Sequence, residues 1–278
     1  MRALLRHVAG SFTGLLGLVL VLAIVFAAIT ASWISPYDPD RLDVLHRFAG
    51  ISGAHWLGTD HLGRDLLSRL LHGASVAMVV SLAAITLALS VGTVLGALAA
   101  YLPSRQERFI LIVFDIISSF PSLVLALVVV AVFGPSTLNV IGIVAVTLMP
   151  QFGRVARAQV LSVKSAPFLE AEILLGAGTR RIFFSHLLPN IAGPLIVLAS
   201  VEIPVVITVE AGLSFIGLGV RPPLASWGTL IYDGYSYLSD SALPVIAACA
   251  TLSLATLGFT LFGEALRDAV DPKRSGSR

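Results

Sequence analysis

Charge is what this chain lacks. Of its 278 residues only 12% are charged, where soluble domains carry about a quarter. Eighteen Lys and Arg with sixteen Asp and Glu are too few to dress a soluble globule of this length. Lysine is rarer still: Lys164 and Lys273 are the only two, preceded by Val163 and Pro272. The chain therefore has no Gly-Lys-Ser/Thr phosphate loop, and any ATP it depends on binds elsewhere. The single cysteine, Cys249, excludes a disulfide framework and a Cys-based metal site. No histidine stands in the middle of a long apolar run and no His-Glu-x-x-His motif exists, which excludes intramembrane Ser-His-Asp hydrolysis and zinc proteolysis. A net charge of +2 is too small to draw in nucleic acid.

What is present is apolar bulk, 56% of the residues. Disorder is thereby excluded, and the class is a polytopic membrane protein. A crossing needs roughly 20 apolar residues. Span one is expected at about Gly10–Ile34; Ala28-Ile29-Thr30-Ala31 resembles a cleavage site, but the run is too long for a signal core, so span one is retained. Span two is about Ala74–Tyr101. The 38 uncharged residues from Ile116 to Gly153 are too many for one crossing, and Phe133-Gly134-Pro135-Ser136 supplies a turn. They contribute to span three (about Phe109–Phe133) and span four (about Leu138–Val155). Spans five and six are about Ile191–Leu218 and Ala242–Gly263. With the N-terminus inside, thirteen basic residues lie on the inner side and five on the outer, so both termini are expected in the cytoplasm.

The fold expected is all-α with six transmembrane helices. Residues 1–34 form the N-terminal tail and first span, and residues 35–73 an extracytoplasmic segment. In that segment Leu66, Leu67, Leu70 and Leu71 form an apolar stripe opposite Arg64, Ser68 and His72, which predicts an interfacial amphipathic helix. Residues 74–278 form the five-helix core. Pro222-Pro223, Trp227 and three tyrosines mark a second outer loop, suited to the headgroup boundary.

The inner loop at about 156–190 is the most informative stretch. Ser165 is expected to cap a short helix with Pro167 near its start, Gly176 and Gly178 to give a left-handed stop, and Thr179 to open a second helix ending at Pro189-Asn190. Helix, glycine joint, helix would present a small rigid platform to the cytoplasm.

Three acids fall within the apolar runs: Asp115, Glu202 and Glu210. Intramembrane carboxylates are costly and usually face a pathway; the alternative is hydrogen-bonded glue between helices. For Glu202 and Glu210 the two readings stand level, and for Asp115 glue is preferred. His55, Asp60 and His61 also invite a metal site, but a loop and helix cap at an interface is the better reading, and no metal is assigned.

The run Glu170-Ala171-Glu172-Ile173-Leu174-Leu175-Gly176-Ala177, followed by His186-Leu187-Leu188-Pro189, resembles the EAA loop of ABC importer permeases. Further stretches are similar to the second (C-type) membrane subunit of the dipeptide/oligopeptide/nickel importers. They are His55-Trp56-Leu57-Gly58-Thr59-Asp60 with Leu62-Gly63-Arg64-Asp65; Asp115 with Phe120-Pro121-Ser122-Leu123; Leu213-Ser214-Phe215-Ile216-Gly217-Leu218-Gly219-Val220 with Ser226-Trp227-Gly228; and Leu266-Arg267-Asp268-Ala269-Val270-Asp271-Pro272. The resemblance covers about residues 55–273. It departs at Glu172, where alanine is usual, and the extra acid is expected to face water. Glu202 and Pro204 replace small residues, whereas Glu210 stands where the family often has an acid.

The resemblance implies a type I importer permease fold in the bacterial cytoplasmic membrane. It implies a heterodimer with a second permease subunit, two ATPase subunits inside, and an extracytoplasmic substrate-binding protein. This chain would be non-catalytic and bind no cofactor, with ATP and Mg on the ATPases. Glu170, Ala171, Glu172, Gly176, Ala177, His186 and Pro189 would form the coupling loop; Glu202, Glu210 and Asp115 are the pathway candidates. Di- or oligopeptides are the expected cargo, with nickel complexes, glutathione or other peptide-like solutes as the alternative. An ion-coupled secondary transporter and a transport-free scaffold are the more distant readings.

Overall fold

The computed structural model describes residues 10–167, 169, 172, 178 and 181–270. Its helices are α1 (Phe12–Ile34), α2 (Leu66–Tyr101), α3 (Ser104–Ser118), α4 (Ser122–Phe133), α5 (Thr137–Lys164), α6 (Leu188–Phe215), α7 (Trp227–Ser236) and α8 (Leu243–Val270). Among the described residues strand pairing is confined to one isolated bridge, Thr59 to Asp65. Helices α1, α2, α5, α6 and α8 are each long and apolar enough to cross a bilayer. This is the element set lipid demands, because a helix satisfies its own backbone.

Span three is the main correction. It is not one helix: α3 and α4 meet at 86° across Ser119–Pro121. Pro121 has no N–H to continue α3, and the residue before a proline is pushed out of the helical region. The Ser119 hydroxyl donates to the Asp115 carbonyl at 2.7 Å and closes α3. The pair makes a sixth span only if a broken helix counts as one. The turn expected at Gly134 is present, with φ +80°, a conformation glycine adopts at little cost.

A second correction concerns the stripe at Leu66–Leu71. It is no separate interfacial helix but the first two turns of α2, whose 36 residues run unbroken to Tyr101. Leu66 and Leu70 are buried against Trp227, and Arg64 and Ser68, expected on the wet side, are buried too. Asp65 caps α2 by accepting from Ser68 N at 2.8 Å, and its other oxygen meets His55 Nδ1 at 2.9 Å.

The most extensive packing is between α2 and α5. Gly92 and Gly96, four apart on α2, lie against α5, where a Cβ on Gly96 would sit 2.0 Å from the Gly153 carbonyl oxygen. Small residues at this spacing let helix backbones touch, which is how helices associate where lipid removes the hydrophobic drive. The inner cluster joins Val80, Ala84 and Ala88 of α2 to Ile143, Phe152 and Val160 of α5 and Ile191 and Leu213 of α6. An outer cluster gathers Leu66, Leu70, Ile207, Trp227, Ala248 and Phe259.

Candidate coupling segment and membrane acids

The residues read as a coupling loop lie between the C-terminal end of α5 and the start of α6. Glu170, Ala171, Gly176 and Ala177 lie outside the described residues, as does Thr179. What surrounds them is braced. Arg157 pairs with Glu107 of α3. Lys164 Nζ donates to the Ala100 carbonyl at 3.3 Å and stands 4.7 Å over the Tyr101 ring. That places a cation at the carbonyl end of α2, where the helix dipole favours it. Leu169 and Leu187 flank the segment and are both buried in the inner cluster beside Val160 and Ile191.

Several local expectations fail here. Ser165 closes α5 rather than opening the next helix; its hydroxyl donates back to the Ser162 carbonyl at 3.0 Å. Gly178 has no left-handed φ, so no glycine stop is formed at that residue. Pro189 and Asn190 do not end a helix either: a π turn, Ile182–Leu187, runs straight into α6, and Pro189 sits in the first turn of the α-helical part. A proline ring crowds the carbonyl four residues before it, and the wider π turn, in which Leu188 N donates to Phe183 O, makes room. Asn190 Nδ2 donates to the His186 carbonyl at 2.6 Å.

Glu172 does not simply face water. Its carboxylate lies 3.7 Å from Arg181 of the same chain through one oxygen and 3.7 Å from His186 through the other, with its side chain 25% exposed. The acid that replaces the family's alanine thus spans the two ends of the segment.

The three membrane acids part company. Asp115 is bound by Arg154 of α5 at 3.0 Å, and Arg154 also donates to Ser118 Oγ at 3.1 Å. Those contacts tie α3 to α5. Glu210 is buried within its own chain and accepts from Ser214 Oγ at 2.7 Å; Ser214 Oγ in turn accepts from Val220 N at 3.0 Å. The carboxylate therefore orders the turn that leads out of α6. Glu202 is buried as well, 7% exposed, but its partner lies on another helix. It accepts from Gln151 Nε2 of α5 at 2.8 Å, one helical turn along from an apolar groove between α4, α5 and α6 lined by Ala126, Ile143, Thr147, Val205 and Val209.

At the outer end, motifs distant in the chain converge. Arg64 Nε binds Asp60 at 2.6 Å and its Nη2 reaches Asp233 of α7 at 3.5 Å. Arg69 reaches Asp40 at 3.3 Å and Asp60 at 3.7 Å. His61 stacks on Tyr237 with centroids 4.8 Å apart. Burial pushes the Asp233 carboxyl up from its ordinary value and the His61 imidazole down. His55, Asp60 and His61 do not converge on one point, and among the described residues no three His, Cys, Asp or Glu side chains assemble to hold a metal. Sequence reasoning missed the Gly92 and Gly96 pair, which a search for glycines four apart in an apolar run would have found.

This arrangement has relatives. Residues 92–276 match the family described as binding-protein-dependent transport system inner membrane component, and residues 13–50 match the N-terminal transmembrane domain of oligopeptide transport permease C. The Di/tripeptide transport system permease protein DppC of Pseudomonas aeruginosa is 39% identical over 92% of this chain and 87% of its own. The Nickel transport system permease protein NikC of Escherichia coli is 35% identical, covering 92% and 93%. Among solved structures, a chain of the MetNI methionine ABC transporter superposes with a TM-score of 0.60 at 16% identity, over 74% of this chain and 98% of that one. That likeness shows the fold, that of type I importer permeases. The order of motifs, the all-helical membrane architecture and these identities make one conclusion: the chain belongs to the ABC importer permeases of the dipeptide/oligopeptide/nickel family, as a C-type membrane subunit.

Proposed function

We propose that this permease is one of two membrane subunits in an ATP-driven importer of di- and oligopeptides. The observation that carries the reading is the seating of the coupling segment. Leu169 and Leu187 fix its two flanks into the same packed cluster, shared with α5 and α6. Close-packed interiors transmit displacement, so a push from an ATPase subunit on the segment reaches both helices.

In this reading Glu170, Ala171, Gly176 and Ala177 make the docking face, while Glu172, His186 and Pro189 hold its shape. Two ATPase subunits bind ATP and Mg and supply the hydrolysis; this chain holds no cofactor and catalyses nothing. A second permease subunit completes the pathway, and an extracytoplasmic substrate-binding protein delivers the solute. The membrane is the bacterial cytoplasmic one with both termini inside, in keeping with thirteen inner basic residues against five outer.

Glu202, beside the α4–α5–α6 groove, is the pathway acid, presenting a carboxylate to the free ammonium of a peptide. Relatives named for dipeptide, glutathione and nickel transport are 35 to 39% identical. The peptide assignment therefore leans on the first of these and on Glu202.

Reconstitution with a second permease, the ATPases and a binding protein tests the proposal. Uptake of a labelled dipeptide is expected only with ATP and binding protein together. Glu170→Lys and Gly176→Asp should leave assembly and ATP hydrolysis in place and abolish uptake. Normal uptake by both variants, or uptake by this chain alone on an ion gradient, overturns it.

A further inference from the structure

Asp115 and Arg154 pair where lipid would exclude an open charge. Arg154 stands ten residues before the C-terminal end of α5, and Asp115 eleven residues after the start of α3. At 1.5 Å per residue each is about 15 Å from that helix end. The two ends lie on one side, because Lys164, which closes α5, stands over the Tyr101 ring at the end of α2, just before α3 begins. The pair is therefore inside a hydrocarbon core about 30 Å thick. Yet it is open, with the Arg154 side chain 44% and the Asp115 side chain 70% exposed. A pair that served only to glue α3 to α5 would be buried between them.

Two further features adjoin the pair. The break between α3 and α4 leaves Ser119, Phe120 and Pro121 exposed, and irregular backbone at membrane depth persists only where protein covers it or a water-filled cavity adjoins it. Gln151, exposed and one turn before Arg154 on the same face of α5, holds Glu202 of α6 at 2.8 Å. A polar strip thus crosses from α3 through α5 to α6. It continues into the groove between α4, α5 and α6 through Ser122 and Thr147. Both hydrogen bonds of Arg154, to Asp115 and Ser118, leave from Nη2, so among the described residues its Nε and Nη1 donors are unused.

We infer that Arg154 is a solute-contacting residue of the pathway, receiving the carboxylate of a peptide whose ammonium goes to Glu202. The inference deepens the peptide reading above and rests on it. The two ends of an extended dipeptide are about 7 Å apart, and side chains at i and i+3 on a helix start about 5–6 Å apart. One solute therefore reaches both Arg154 and the acid that Gln151 holds. Asp115 and Ser118 are positioning residues: they take Nη2 and hold the rest of the guanidinium for the solute. Arginine suits the role because its charge persists away from bulk water and it is more weakly hydrated than an ammonium. Exposure of the pair to lipid is excluded by its cost. A carboxylate of the second permease fits less well, because Asp115 already balances Arg154 and leaves no charge for a permanent partner to satisfy.

The test uses the complete importer, purified without binding protein, and measures binding of dialanine and of its C-terminal amide by saturation-transfer NMR. The unaltered complex is expected to bind dialanine about tenfold or more tighter than the amide. Arg154→Gln should remove that preference by weakening dialanine alone. Arg154→Lys, which keeps the charge and guards against misassembly, should fall between. Asp115→Asn, which removes the competing acid, should widen the preference. A merely structural role would weaken both ligands alike, and that result overturns the inference, as does equal binding of the two by the unaltered complex. Loss of the second permease from both Arg154 variants assigns the pair to the subunit interface and also overturns it. ATP-driven uptake of dialanine by the unaltered complex with binding protein is measured alongside. Uptake without a carboxylate preference sinks this inference alone, and no uptake sinks the peptide reading with it.

Discussion

The indole Nε1 of Trp227 donates to the main-chain carbonyl of Leu70 at 3.0 Å, across 157 positions of sequence. Trp227 opens α7 and Leu70 lies in the second turn of α2, so one hydrogen bond joins the outer loop to a span. Gly73 makes the approach possible, because a Cβ there would fall 2.6 Å from the indole Cδ1. The ion pairs of Arg64 with Asp60 and Asp233 close the same junction from the side.

Removing the indole should loosen that junction. Trp227→Ala is expected to cost about 3–5 kcal/mol, and Trp227→Phe, which keeps most of the volume, about 1 kcal/mol for the hydrogen bond. Thermal unfolding of the purified permease in detergent reads both. An unchanged midpoint for Trp227→Ala would mean that the junction contributes nothing.

The contact of α2 with α5 tolerates no side chain at Gly96. Gly96→Leu pushes against the Gly153 backbone, which cannot rotate away as a side chain would, and the folded protein should be lost from the membrane. Gly142→Ala, on α5 with open space around it, is the control and should gain up to about 1 kcal/mol from helix propensity. Equal yields of the two variants would refute the backbone contact.

Glu202 and Glu210 should respond differently to the same chemistry. Glu202→Gln keeps an amide within reach of Gln151 and is expected to leave folding intact while lowering uptake of ammonium-bearing peptides severalfold. Glu210→Ala strips the partner from buried Ser214 and should cost about 1–3 kcal/mol of stability without altering which peptide is preferred. Competition uptake with paired substrates, alongside unfolding curves, separates the outcomes. A selectivity change from Glu210→Ala would contradict its buried, structural placement.

Glu172→Ala restores the residue usual in the family at that position. Arg181 is 67% exposed, so the ion pair is screened and stability should fall by less than about 1 kcal/mol. The expected effect is on coupling: peptide transported per ATP hydrolysed declines while the folded fraction stays the same. An unchanged ratio would leave Glu172 without a part in the segment's shape.

Some of the molecule could be read in one dimension because its physics is local. A run of some twenty apolar residues must cross a bilayer wherever its neighbours stand, so the spans at α1, α5, α6 and α8 appear close to where hydropathy puts them. Gly134 makes its turn because backbone freedom belongs to the residue itself. Span three was misread because hydropathy is blind to direction: Ser119–Pro121 turns the helix by 86° without interrupting the apolar run. The stripe Leu66–Leu71 was misread because amphipathicity does not say whether a polar face meets water or a buried ion pair.

By itself, then, the amino-acid sequence determined that the chain lives in lipid and, through its spaced motifs, which family it joins. The scarcity of lysine, with only two and neither in a Gly-Lys-Ser/Thr run, already excluded a phosphate loop from this sequence. Only the tertiary structure decided what the remaining charges do. Whether Asp115, Glu202 or Glu210 ties helices together or faces a groove depends on which helix lies opposite, and whether Glu172 meets water or Arg181 depends on how the chain folds back. Those are contacts between residues far apart in the chain, and no local spacing encodes them.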